Sequence, residues 1–144
     1  MPGERSGGER GLDETLIDAL GRYFARYREE LACVYLYGSV ARGRARETSD
    51  LDLGLLFARP PERRLGGLPS RIEDELEAAL RQPVEVVTLN AAPPDLVHRV
   101  LRDGILVHEA DRSARVRFEV AARNAYFDLQ PILREYRRGG TAGP

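Results

Sequence analysis

The sequence contains no lysine, a single cysteine and no long apolar run. Because all 22 basic residues are arginines, any phosphate that binds a cationic side chain here must bind a guanidinium group. The lone Cys33 excludes an internal disulfide and predicts a reducing, cytoplasmic location. No apolar stretch reaches the roughly 18 residues that a membrane-spanning helix needs, so no membrane association is expected.

Charge of one sign is not in excess either. The 144 residues include 22 basic and 23 acidic side chains, which gives a net charge of −1. This balance is not that of a strongly basic nucleic-acid-binding domain, so no direct nucleic-acid partner is expected. With 42% hydrophobic residues, the composition is that of one soluble globular domain. The polar opening MPGERSGGERG predicts no secretory signal.

Apolar periodicity predicts one domain, residues 12–138, between two disordered tails, residues 1–11 and 139–144. Four strands are predicted, at residues 33–37, 51–57, 84–89 and 105–109. Helices are predicted from Leu12 to about Leu31, from a capping box at Ser70 and Glu73, after Pro93, and from Asp111 or Ser113, with Pro131 kinking or dividing the last. This order predicts a small α/β domain, a mixed β-sheet packed with helices.

Asp50 and Asp52 are separated by one residue at the start of the second predicted strand. Side chains at positions i and i+2 of a strand share a face, so both carboxylates are expected on one side, with Leu51 and Leu53 in the core on the other. Two close carboxylates repel unless one is protonated, arginines pair with them or a cation lies between them. Their hard oxygens favour Mg²⁺ or Mn²⁺. Two ordinary aspartates on an exposed strand are the alternative.

Gly38 and Ser39 follow the first predicted strand and open a turn. Glycine allows close approach of the backbone to a phosphate, and the free N–H groups of such a turn bind anions. A plain strand-to-helix turn with Ser39 as the helix N-cap is the alternative. Glu85 is a candidate third carboxylate, because a lone charge in an apolar strand is costly unless it is paired or liganded. An edge-strand glutamate facing water would give the same pattern.

Gly38, Ser39, Asp50 and Asp52 form the pattern G-S-x(10)-D-x-D, which resembles the signature of the minimal nucleotidyltransferase (MNT) family in the DNA polymerase beta superfamily. The segments Y-G-S-V-A-R-G and S-D-L-D-L are similar as well, and the likeness covers residues 12 to about 137. The resemblance implies a polymerase-beta-like nucleotidyltransferase fold in which the two motif aspartates bind divalent metal.

The resemblance also implies the remaining ligands. Glu85 takes the place of a third carboxylate that is commonly an aspartate in the family, and with the motif aspartates it would hold two Mg²⁺ ions. ATP would lie over Gly38 and Ser39, with Arg42 and Ser49 as further candidate contacts. For Arg42, a surface ion pair with a nearby acid is the alternative.

The function implied by the resemblance is that of an antitoxin in a toxin–antitoxin pair. Such a protein would form a hetero-oligomer with a HEPN-domain ribonuclease toxin and transfer AMP from ATP to a tyrosine hydroxyl of that toxin (AMPylation). Two alternatives stay open: a catalytically weak or inactive module that neutralises its partner by binding, and a transferase acting on a small hydroxylated molecule. Tyr126, Phe127 and Tyr136 on the last helix belong either to the core or to a partner surface.

Overall fold

The computed structural model describes residues 7–41, 50–59 and 67–142. It shows a mixed four-stranded sheet with packed helices, which confirms the predicted fold class. The strands are β1 (Leu31–Tyr37), β2 (Leu51–Phe57), β3 (Val84–Thr88) and β4 (Ile105–Glu109). The helices are α1 (Gly7–Phe24), α2 (Gly38–Ala41), α3 (Leu68–Leu80), α4 (Pro94–Asp103) and α5 (Arg112–Ala142), with 3-10 turns at Ala25–Tyr27 and Leu89–Ala91.

The strand order in the sheet is β3-β2-β1-β4. β1 pairs antiparallel with both β2 and β4, whereas β2 and β3 are parallel. All seven residues of β1 are buried, as expected for a continuous apolar strand that is covered on both faces. β4 lies at an edge of the sheet, in agreement with the prediction that this short strand is an edge strand.

Alternate residues of the central strands build two separate cores, one on each face of the sheet. We call the first face the closed face; its buried core comprises Leu20, Phe24, Leu31, Val34, Leu36, Leu51, Leu53, Leu55, Phe57, Ile72, Leu76, Val84 and Val107. We call the second the cleft face; its buried core comprises Ala32, Cys33, Tyr35, Tyr37, Leu56, Leu89, Val97 and Val100. Helices α1 and α3 supply the closed face, and α4 and α5 supply the cleft face.

Helix α3 covers the outer edge of β3 in a way that the sequence analysis did not predict. The predicted capping box is wrong, because α3 begins two residues before Ser70 and no side chain caps it. Glu73 instead accepts a hydrogen bond from the Val86 N–H at 2.9 Å, and Glu77 accepts one from the Val84 N–H at 3.0 Å. Since none of the described strands lies on this side of β3, the two carboxylates satisfy N–H groups that the sheet leaves unpaired.

The first helix starts and ends earlier than predicted. α1 begins at Gly7 rather than Leu12 and ends at Phe24, where a 3-10 turn follows. Leu31, which the periodicity assigns to the end of this helix, is the first residue of β1 and is fully buried in the closed-face core. Burial of the Leu31 side chain in the core therefore places this residue in β1, and the local spacing of apolar residues does not show this.

The last helix is continuous. Asp111 caps α5 by accepting a hydrogen bond from the Ala114 N–H at 3.0 Å. Pro131 lies inside α5 and does not divide it, so that part of the prediction is wrong, whereas a kink at Pro131 stays a prediction. α1 and α5 extend into residues 7–11 and 139–142, where the sequence predicts tails, and the domain limits at residues 12 and 138 stay a prediction. Within the described ranges, no helix combines the length and the apolar character needed to cross a bilayer.

Candidate active site

The turn between β1 and α2 places Gly38 against Asp52 of the neighbouring strand. Gly38 has a φ of +79°, a left-handed conformation that strongly favours glycine. A Cβ atom at this position would collide with the carboxylate of Asp52. Glycine is therefore needed here both for the turn and for the close approach of the backbone to that carboxylate.

Strand register aligns Tyr37, Asp52 and Glu85 in one row across β1, β2 and β3. Asp52 is the Cα partner of Tyr37 in the antiparallel pair and of Glu85 in the parallel pair. Directly paired residues project to the same face of a sheet, so the two carboxylates lie side by side on the cleft face. Asp52 is half-buried, and Glu85 is exposed on the edge strand.

Asp50 does not join this row. It precedes β2, is exposed, and is absent from the residues that line the cleft. The N–H of the next residue, Leu51, donates to the carbonyl of Pro83 at 2.9 Å, which ties the start of β2 to the start of β3. In the part of the chain that the structure describes, no group of three acidic, histidine or cysteine side chains could hold a metal ion. Two of the three predicted carboxylates, Asp52 and Glu85, are thus brought together.

Asp52 and Glu85 line an open cleft of about 410 Å³. The other lining residues are Tyr37, Gly38 and Val87 from the sheet and the adjoining turn, and Leu96, Arg99 and Asp103 from α4. The sheet therefore supplies one wall of the cleft and α4 supplies the opposite wall.

The α4 wall is the part of the site that the sequence analysis missed. Leu96, Arg99 and Asp103 are spaced i, i+3, i+7, which places them on one face of a helix. Val97 and Val100 of the same helix are buried against the sheet. The amphipathic spacing was available in the sequence, but nothing in it shows which strands this helix covers.

Charges in the cleft act on the hydroxyl of Tyr37. Burial, together with the negative charges of Asp52 and Glu85, raises the pKa of Tyr37 to about 12, and the Arg99 guanidinium opposes this rise. The two carboxylates and the guanidinium therefore all lie within electrostatic range of one phenol. Tyr37 is neutral at physiological pH, so it adds no charge to the cleft.

The donor set of the cleft fits a hard divalent cation. Two adjacent carboxylates repel each other, and a cation between them relieves that repulsion. Carboxylate oxygens are also the ligands that Mg²⁺ prefers. The residues present are therefore compatible with the predicted metal.

The outcome differs among the other residues singled out in the sequence. Arg42 and Ser49 lie outside the described residues, and Ser39 is described only as part of the backbone of α2. His98 stacks on Tyr126 of α5 with ring centroids 3.7 Å apart, so this tyrosine belongs to a contact between helices. The two other aromatic residues of α5 singled out in the sequence, Phe127 and Tyr136, are 61% and 76% exposed.

A family model described as polymerase beta, nucleotidyltransferase, matches residues 19–113. The chain therefore belongs to the polymerase beta nucleotidyltransferase family. The matched range includes Gly38, Asp50, Asp52 and Glu85, together with α4. No curated protein sequence matches the chain.

Solved structures share the fold at low sequence identity. A crystal structure of a toxin–antitoxin with AMP-PNP matches with a TM-score of 0.69 and 23% identity, over 78% of this chain and 87% of that one. A structure of the tri-AMPylated Shewanella oneidensis HEPN toxin in complex with MNT antitoxin matches with a TM-score of 0.69 and 20% identity, over 88% and 98%. The toxin–antitoxin MntA–HepT matches with a TM-score of 0.67 and 21% identity, over 91% and 98%.

Proposed function

We propose that this chain is an antitoxin that transfers AMP from ATP to a tyrosine hydroxyl of a HEPN-type toxin. Membership of the nucleotidyltransferase family supports the type of reaction. The similar structures, one with AMP-PNP and one with an AMPylated HEPN toxin, support the nucleotide and the partner. The observation that carries the proposal is the pair of carboxylates, Asp52 and Glu85, side by side in a cleft next to the Gly38 turn.

The proposed reaction is a single displacement at phosphorus. The tyrosine oxygen forms a bond to the α-phosphorus of ATP, while the bond from that phosphorus to its bridging oxygen breaks. Pyrophosphate leaves with that electron pair, and the hydroxyl proton passes to water. Two Mg²⁺ ions, when bound, supply the positive charge that activates the hydroxyl and stabilises the leaving pyrophosphate.

The residues of the chain hold and orient the reactants. Asp52 and Glu85 would hold the metal. The G-S-x(10)-D-x-D pattern proposes Asp50 as a third carboxylate, although Asp50 precedes β2 and does not line the cleft in this structure. The turn at Gly38 lets the backbone approach the phosphates closely, with Ser39 as a hydroxyl donor. Positioning of this kind, rather than covalent chemistry by the protein, accounts for most of the catalysis in phosphoryl transfer.

Glu85 is one methylene longer than the aspartate that is common at this place in the family. Its strand is at the edge of the sheet and its side chain is exposed. The longer side chain therefore has room to change rotamer, which supports a role as metal ligand despite its length.

Direct measurement of AMP transfer tests the proposal. The purified chain is incubated with its co-expressed partner, ATP and Mg²⁺, and intact mass spectrometry detects AMP on the partner. Asp52→Asn removes a ligand charge and is expected to lower the transfer rate roughly a thousandfold. Asp74→Asn makes the same change at an exposed carboxylate of α3 and is expected to leave the rate unchanged.

The other outcomes of this experiment would contradict the assigned site or favour one of the alternative functions. Transfer that continues in Asp52→Asn, or after removal of divalent metal, would refute the assignment of the site. Neutralisation of the partner without any gain of mass would show that the chain acts by binding alone. Modification of a small hydroxylated compound in the absence of a protein partner would favour the third alternative.

A further inference from the structure

Arg99 of α4 lines the same cleft as Asp52 and Glu85. We infer that Arg99 is a substrate-positioning residue that binds the phosphate chain of the nucleotide. The inference rests on the proposed function for the identity of the substrate as a nucleoside triphosphate, and it adds a contact from a helix outside the G-S-x(10)-D-x-D pattern.

The packing of α4 directs Arg99 to the cleft. Val97 and Val100 are only 4% and 0% exposed and anchor the helix in the cleft-face core. With that face held against the sheet, Leu96, Arg99 and Asp103 are held along the cleft. Arg99 itself is exposed, so its guanidinium can meet a ligand without disturbing the core.

Neighbouring arginines are engaged with carboxylates, and Arg99 differs from them. Arg102 donates two hydrogen bonds of 2.9 Å to Asp103. Arg115 forms ion pairs with Glu109 and Glu119 on β4 and α5. Among the ion pairs of residues 7–41, 50–59 and 67–142, none includes Arg99. Its planar fork of donors is therefore available for an anionic ligand.

The charge of the cleft shows why an anionic substrate needs this guanidinium. Asp52 and Glu85 line the cleft, and their negative charges would repel a polyphosphate. Divalent metal on the carboxylates would offset part of this repulsion. Arg99 supplies a permanent positive charge on the opposite wall of the cleft. A guanidinium can also bind two phosphate oxygens at once, which a point charge cannot.

Nucleotide titration of the full chain tests the inference. Calorimetry with Mg²⁺ compares ATP, which carries the phosphates, with adenosine, which lacks them. Arg99→Gln is expected to weaken ATP binding about tenfold or more and to leave adenosine binding unchanged. Arg99→Lys keeps the charge without the fork, so an intermediate affinity for ATP is expected. Arg71→Gln, which removes an exposed arginine of α3, serves as the matched control and should bind ATP like the wild type.

The outcomes separate this inference from the proposed function. Equal ATP affinity in Arg99→Gln and the wild type would overturn the inference, as would an equal loss of adenosine binding or an equal loss in Arg71→Gln. If the wild type binds no ATP, the inference and the proposed function both fail. If ATP binds through Arg99 but no AMP reaches the partner, only the proposed antitoxin activity fails.

Discussion

The two faces of β2 differ in the side chains that they carry and in the surroundings of those side chains. On the closed face, Leu51, Leu53 and Leu55 are fully buried in an apolar core. On the cleft face, the alternate positions are Asp52, which lines the cleft, then Gly54 and Leu56. Successive side chains of a strand point to opposite faces. Residues that stabilise the core and the residue that lines the cleft are therefore immediate neighbours in the sequence.

Gly54 explains why the cleft occupies only one end of this face. A Cβ atom at Gly54 would lie 3.2 Å from the side chain of Leu89, closer than most real contacts. Without that atom, Leu89 packs over the middle of β2 and belongs to the cleft-face core. The open cleft therefore lies beside Asp52 at the start of the strand, next to the Gly38 turn.

Truncation on the closed face should give the largest change in stability. Leu53→Ala removes a fully buried side chain and leaves a cavity, so the free energy of unfolding should fall by about 3 kcal/mol. Chemical denaturation measures this change, and the AMP transfer rate of the folded protein should be close to that of the wild type. A loss of stability below about 1 kcal/mol, or a selective loss of transfer, would show that the two faces are not independent.

Substitution of Gly38, which shapes both the turn after β1 and the cleft, should lower both stability and AMP transfer. Gly38→Ala adds a Cβ at a φ of +79° and against the Asp52 carboxylate, so we expect a loss of about 2 kcal/mol in stability and a large loss of AMP transfer. The same substitution made in an Asp52→Ala background should destabilise less, because the collision is then removed. Additive effects in this double-mutant cycle would contradict the contact between the two positions.

A titratable side chain on the closed face, His108, should give the smallest change in stability. His108 of β4 lies beside Phe24, and burial lowers the pKa of its imidazole below the ordinary value of about 6.5. On acidification the unfolded chain therefore binds a proton before the folded chain does. The contribution of His108 to the free energy of unfolding should be fully present above about pH 6.5 and decrease as the pH falls below it.

Denaturation curves at several pH values measure this decrease. In His108→Gln the part of the pH dependence that belongs to the imidazole should disappear, whereas His98→Gln should retain it. An unchanged slope in His108→Gln would show that other groups cause the pH dependence.

The strands and their alternation were largely predictable from local pattern. The spacing of Leu51, Leu53 and Leu55 predicts one buried face of β2, and the structure confirms it. The pattern was less reliable at helix ends: the periodicity extends α1 to Leu31, and Ser70 with Glu73 resembles a cap. In both cases a contact with the sheet outweighs the local preference, through burial of Leu31 and through the hydrogen bond between Glu73 and Val86.

By itself, the sequence determined the four strands, the glycine turn and the placement of Asp52 opposite the leucines, because each depends on residues close together in the chain. Only the tertiary structure decided that β3 lies beside β2 in the register that pairs Glu85 with Asp52, and that α4 brings Arg99 to the cleft. Strand order and register depend on packing between distant segments, and shifting the register by one residue would turn Glu85 to the opposite face.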